Sequence, residues 1–123
     1  MYWIFVEAGF EASHQLTFAD GTQEPLHTHL WRVTAAVCAP TLSSEGLVMD
    51  FRDLERSVKA AILPLSINQI EKISYFAGRN ASAEAVARYL FDSIAPQVNP
   101  PARLGYIEVT EAAGCRARYQ PTD

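Results

Sequence analysis

The sequence contains only three histidines, His14, His27 and His29, and their spacing brings them together. His27 and His29 are two apart, so in an extended strand both imidazoles leave the same face. His14 ends the preceding run of alternating apolar residues, and the stretch from Leu16 to Leu26 serves as a hairpin loop. In an antiparallel hairpin the end of one strand lies beside the start of the next. The three rings are therefore expected to converge at one rim of a sheet. Three neutral nitrogen ligands with an open fourth position describe a catalytic zinc site, whereas structural zinc usually takes four protein ligands with thiolates. A lone histidine near a turn is most often an incidental polar residue, but here every histidine joins the cluster. Neither cysteine looks like a fourth ligand: Cys38 has the opposite parity to the histidine pair and lies at the far end of their strand, as a buried free thiol would. Zn2+ held by His14, His27 and His29 is the expectation.

The elements that must position these rings are legible from periodicity. Tyr2, Ile4, Val6, Ala8, Phe10, Ala12 and His14 share one parity, with Glu7, Glu11 and Ser13 on the other, which predicts a strand over 2–14. Asp20-Gly21-Thr22-Gln23-Glu24-Pro25 turns the chain into a second strand from about Leu26 to Cys38, rich in Trp31, Val33, Thr34 and Val37. Asp50 caps a helix whose stripe is Phe51, Leu54, Val58 and Ile62, and Pro64 stops it. A second helix begins at Ser82 with Glu84 in its first turn, presents Val86, Tyr89, Leu90 and Ile94, and ends at Pro96. Leu104 to Glu111 and Arg116 to Tyr119 read as two final strands. The order β-β-α-α-β-β predicts an α+β fold, a four-stranded antiparallel sheet with two helices on one face. Such a sheet has an uncovered face and free edges, so homo-oligomerisation is expected.

With 123 residues the chain is expected to be a single domain over 1–123. Hydrophobic residues at 49% and charged residues at 20% exclude a disordered tail. A net charge of −4 argues against a nucleic-acid partner, which wants a basic face. Neither a bilayer-length apolar run nor a basic-then-apolar leader is evident, so no membrane partner is expected. Two widely spaced cysteines form no disulfide framework, and a reducing cytoplasm is the expected location.

The same residues resemble the 6-pyruvoyl-tetrahydropterin synthase and 6-carboxytetrahydropterin synthase family over nearly the whole chain. Phe10-Glu11-Ala12-Ser13-His14 is similar to its first zinc motif, and Leu26-His27-Thr28-His29-Leu30-Trp31 to its His-Gly-His motif. Gly46 to Leu54 resembles its first helix start, and Ala81-Ser82-Ala83-Glu84 its second. Val109-Thr110-Glu111 falls where that family places the glutamate that anchors the pterin. The resemblance implies a tunnel fold built as an oligomeric barrel, a trimer or hexamer, and a pterin or purine-like small molecule as substrate. It also implies that Glu111 and Ser82 bind the substrate. Glu111 continues the inward parity of Ile107 and Val109, and a carboxylate there can accept in parallel from a pterin's ring N3–H and 2-amino group.

The departures from the family pattern bear on chemistry. Gln23 stands where one branch carries its cysteine base, and Ser66 and Ile67 replace the family's Asp-His pair. Glu24, three residues before His27, matches a branch with a glutamate at this offset, which resembles an aldolase that cleaves dihydroneopterin to 6-hydroxymethyl-dihydropterin. Glu24 is also the only titratable residue just upstream of the histidine pair, which makes it the candidate base. The expected function is zinc-dependent, lyase-type cleavage of a reduced pterin's C6 side chain, in dihydroneopterin or its triphosphate. Two alternatives stand beside it. One is a 6-pyruvoyl or 6-carboxytetrahydropterin synthase with a different base, from a neighbouring subunit or from Cys115. The other is a relative that binds a pterin or purine without converting it.

Overall fold

The computed structural model describes residues 1–122. Strand β1 (Tyr2–His14) and strand β2 (His27–Ala39) pair antiparallel along their whole length, from Tyr2 opposite Ala39 to His14 opposite His27. Strands β3 (Arg103–Ala112) and β4 (Cys115–Tyr119) extend the sheet in the order β1-β2-β3-β4. Helices α1 (Phe51–Ile62) and α2 (Ala83–Ile94) lie between β2 and β3 in sequence.

Period-2 alternation decides which face the helices cover. Val6, Phe10 and Ala12 of β1, Trp31, Val33, Ala35 and Val37 of β2, and Leu104, Ile107 and Val109 of β3 are buried in one core. Leu54, Val58 and Ile62 of α1 and Val86, Leu90 and Ile94 of α2 join them. Burying each such side chain contributes roughly 1.5–3 kcal/mol. Both helices start where the sequence places them: the Asp50 carboxylate accepts the Arg52 N–H at 2.8 Å, and the Ser82 hydroxyl accepts the Ala85 N–H at 3.1 Å. Phe51 departs from expectation, standing 55% exposed at the first turn, where nothing packs over it; Ala61 takes a core place instead.

Two short 3-10 turns, Ile70–Lys72 and Ser74–Phe76, bury Ile70 and Phe76. The segment before them fastens to the end of β1: Ile67 N–H donates to the Glu11 carbonyl at 2.6 Å, and Ser13 N–H to the Asn68 carbonyl at 3.0 Å. On the sheet face away from the helices, Trp3 stacks on Phe5 at 6.4 Å and crosses the backbone at Gly105. A Cβ at Gly105 would meet the Trp3 ring at 2.4 Å, so only glycine admits the indole there. Arg116 and Arg118 share this face and both pair with Glu108.

Candidate metal centre and adjoining cleft

The β1–β2 register puts His14 directly opposite His27, with His29 two residues on along the same face. Ring centroids lie 4.5 Å apart for His14–His27 and for His27–His29, and 5.4 Å apart for His14–His29. Trp31, the next inward residue of β2, is fully buried and stands edge-on to His14 at 4.9 Å and to His29 at 6.0 Å. Its Nε1–H donates to the Ala12 carbonyl at 3.1 Å, which ties the wall behind the rings to β1.

Backbone carbonyls fix two of the three tautomers. His14 Nδ1 lies 2.8 Å from the Ala81 carbonyl, and His27 Nδ1 lies 2.8 Å from the Pro25 carbonyl. A carbonyl only accepts, so each Nδ1 carries the hydrogen and each Nε2 of the neutral ring presents a lone pair. Those two lone pairs face each other at 2.9 Å. His29 Nε2 is buried with no hydrogen-bond partner. Burial, then the adjacent His27, hold His29 below its ordinary imidazole value, against the opposing pull of Glu111, which keeps the ring neutral at neutral pH.

Two carboxylates flank the rings. Glu111 places Oε1 3.6 Å from His14 Nε2 and Oε2 3.7 Å from His29 Nε2. Glu24 Oε1 lies 3.8 Å from His27 Nε2 and accepts the Leu16 N–H at 3.1 Å. One donor atom from each of His14, His27, His29 and Glu111 lies within 4.8 Å of the others. This set fits a divalent cation. Facing lone pairs and an orphaned nitrogen are repulsive and unsatisfied without one, and two carboxylates offset its charge. Bond lengths of about 2.0–2.1 Å put two nitrogens of a tetrahedral zinc roughly 3.3 Å apart, a few tenths of an ångström beyond the His14–His27 separation.

A cleft of about 260 Å³ opens beside Glu111, lined also by Leu16, Ser82, Ala83, Glu84 and Cys115. The Ser82 hydroxyl points back into its cap, so what α2 offers the cleft is chiefly its first turn. A larger cavity of about 1000 Å³ lies between α1 and the Pro100–Ala102 loop and touches none of the candidate residues.

His14, His27, His29, Glu24 and Glu111 are thus gathered at the imidazoles, while Ser82 and Cys115 share the cleft with Glu111. The sequence reading of Glu111 as a residue for the heterocycle did not anticipate its approach to the imidazole nitrogens. The signal lay in its inward parity one residue beyond the Arg32–Thr110 pair, next to Trp31 and His29. The β3–β4 register shifts between Thr110 and Ala112, at this residue. The Ala81 carbonyl and the Leu16 N–H, which orient His14 and Glu24, were missed because backbone groups have no sequence signature. Gln23 donates to the Thr17 hydroxyl, and the Ser66 hydroxyl donates to the Ile62 carbonyl. Ile67 is 88% exposed.

Comparison with known proteins bears on the family and the fold. A family model described as 6-pyruvoyl tetrahydropterin synthase matches residues 3–122. The 6-carboxy-5,6,7,8-tetrahydropterin synthase of Synechocystis sp. is 32% identical over 128 aligned positions, covering 97% of this chain and 93% of that protein. The solved 6-pyruvoyl tetrahydropterin synthase of Caenorhabditis elegans superposes with a TM-score of 0.84 at 17% identity, covering 99% of this chain and 98% of that one. A Plasmodium vivax 6-pyruvoyltetrahydropterin synthase in which a catalytic glutamate is replaced by alanine superposes with a TM-score of 0.77 at 15% identity, covering 98% and 97%. The two solved structures share the fold, and the sequence matches go further: this chain belongs to the 6-pyruvoyl tetrahydropterin synthase family.

Proposed function

We propose that the protein is a zinc-dependent lyase that cleaves the C6 side chain of a reduced pterin, with dihydroneopterin as the substrate that fits its residues best. The observation that carries this reading is Glu24, a carboxylate 3.8 Å from His27 Nε2 and fixed by the Leu16 N–H. The Plasmodium vivax relative, in which a glutamate is a catalytic residue, supports a glutamate in such a role.

His14, His27 and His29 would hold the zinc, which when bound acts as a Lewis acid that lowers the pKa of a side-chain hydroxyl. Glu111 accepts the ring N3–H and 2-amino hydrogens, and Ser82 with the first turn of α2 forms the cleft wall beside them. That orients the C6 substituent toward Glu24. Glu24 takes the proton from the hydroxyl on the second side-chain carbon. The oxygen's electron pair becomes the carbonyl of glycolaldehyde, the bond between the first and second carbons breaks, and its electrons enter the ring system at C6. Returning the proton to the first carbon leaves 6-hydroxymethyl-dihydropterin. A single carboxylate suffices for the one O–H deprotonation of this cleavage, which needs no relay of cysteine, histidine and aspartate.

The uncovered sheet face, with Trp3 and Phe5 about half exposed, and the free outer edge of β1 support assembly as a homo-oligomer, a trimer or hexamer. Among the described residues no helix is long and apolar enough to cross a membrane, which is in keeping with action in the cytoplasm.

The test is product release. Zinc-loaded protein given dihydroneopterin should liberate glycolaldehyde, and Glu24→Gln should lower the rate by about 10²–10⁴-fold, the usual weight of a general base. No glycolaldehyde from the wild type would overturn the lyase reading. Cys115 lines the same cleft as Glu111 and gives a synthase reading a specific basis. Loss of turnover in Cys115→Ser with Glu24→Gln unaffected would move the assignment there.

A further inference from the structure

We infer that Glu111 is a ligand of the metal in the free enzyme and must leave it to bind the substrate. The inference rests on the metal-centre reading above and goes beyond it, because it gives one carboxylate two mutually exclusive partners.

Each oxygen of Glu111 lies beside an imidazole nitrogen. Oε1 is 3.6 Å from His14 Nε2 and Oε2 is 3.7 Å from His29 Nε2, the buried nitrogen that has no hydrogen-bond partner. Glu111 also belongs to the four-donor set within 4.8 Å, which Glu24 does not. Its place in the chain suits this aim. It stands at the register shift between Thr110 and Ala112, close to the Ala113-Gly114 turn at the end of β3. Three imidazoles and one carboxylate make a complete tetrahedral donor set of a kind zinc accepts. In that arrangement at least one oxygen is taken by the metal, so the carboxylate cannot also receive a pair of parallel N–H donors.

The same carboxylate also lines the cleft, so a heterocycle entering beside Ser82 and Ala83 competes for it. Two parallel N–H donors give a carboxylate paired hydrogen bonds, and these replace its coordination. Release of Glu111 opens the coordination position that the substrate's side-chain oxygens need. Recognition of the ring and opening of the metal are therefore one event, and by linkage each affects the other's affinity.

Co2+ substitution and metal competition read this without turnover. Zn2+ titrated against a chromophoric chelator should bind Glu111→Gln at least tenfold more weakly than wild type, whereas Glu84→Gln, on the cleft wall, should change affinity less than twofold. The visible absorption of the Co2+ protein should differ between wild type and Glu111→Gln. The probe ligand is 6-methyl-7,8-dihydropterin, which has the ring-edge donors but no side-chain oxygen. It should shift the wild-type spectrum and leave that of Glu111→Gln unchanged. Equal affinities and superimposable spectra, or a wild-type spectrum unmoved by saturating ligand, would overturn the inference while leaving the three-histidine site standing. Failure of the wild type to bind Co2+, or binding undiminished in His29→Ala, would remove the metal centre itself.

Discussion

Trp31→Phe tests whether the metal centre is held by the core behind it. The indole is fully buried, stands edge-on to His14 and His29, stacks on Phe10 at 6.0 Å, and donates its N–H to the Ala12 carbonyl. Phenylalanine keeps an aromatic ring but removes the donor and about 40 Å³ of side chain, which at roughly 24 cal/mol per Å³ of residual cavity costs about 1 kcal/mol. Losing the partner of a buried carbonyl costs about 1–3 kcal/mol more. The combined loss is about 2–4 kcal/mol. For a chain of 123 residues the unfolding entropy is about 0.26 kcal/mol per degree, so the melting temperature should fall by about 8–15 °C. The assay is thermal unfolding in excess chelator, which removes any contribution from metal. In a parallel titration the zinc affinity should drop about tenfold, because the partners that orient metal ligands typically carry effects of that size. A fall below about 3 °C in the metal-free protein would show that the indole neither fills its space nor makes its hydrogen bond. A full fall with unchanged zinc affinity would show that the imidazoles hold their positions without it.

Two further outcomes check the site and its scaffold. Free zinc at 100 times its dissociation constant should stabilise the wild type by about 2.7 kcal/mol, a rise in melting temperature near 10 °C that chelator reverses and His29→Ala abolishes; equal melting with and without chelator would contradict it. At the start of α1, the hydrogen bond from the Arg52 side chain, then that from its backbone N–H, hold the Asp50 carboxyl below its ordinary value. A depressed folded-state value means a contribution present above the unfolded carboxyl range near pH 4 and lost as pH falls through the folded value. Asp50→Asn keeps a capping oxygen but not the charge, so it should melt below wild type at pH 7, with the gap narrowing as the pH falls below the ordinary carboxyl range; a gap that stays constant throughout the acid titration would refute the charge effect.

Features governed by short-range periodicity were legible in the sequence. The inward parity of β1 and the two-residue spacing of His27 and His29 determine the cluster once the hairpin forms, and Asp50 and Ser82 cap the helices they precede. What escaped depends on longer-range or backbone features. Residues 70–76 have neither a period of 2 nor of 3.6, so their burial of Ile70 and Phe76 left no pattern to read. Glu111 reaches the imidazoles only because β3 pairs with β2 and bulges at that residue, and its parity alone indicated burial without naming a neighbour. Phe51 shows the converse error, since helical spacing put it on the apolar stripe but could not say where the packed layer ends.

The altered relay positions and the carboxylate at the metal centre bear on one another. Ser66 and Ile67 occupy the positions where the family resemblance places an aspartate and a histidine, yet the backbone there is held as firmly as a functional segment would be. Ile67 donates to Glu11, Ser13 donates to the next residue's carbonyl, and the Asn68 amide bonds the carbonyls of Pro64 and Ser66. Ile67 adopts a left-handed φ of 61°, which a β-branched residue takes only at a cost of about 1–3 kcal/mol, and its 88% exposure offers no packing to offset it. The strained backbone at Ile67 thus stands where the resemblance implies a relay histidine, and its side chain cannot carry a proton. The titratable groups open to the proposed proton transfer include Glu24 and Glu111 at the rings and Cys115 in the adjoining cleft. On the proposed reading Glu111 is engaged by the metal or the ring edge, which leaves Glu24 as the carboxylate free to move a proton. The proposed cleavage asks Glu24 for one O–H deprotonation and the return of that proton to carbon, whereas tautomerisation of the side chain asks for successive C–H proton transfers.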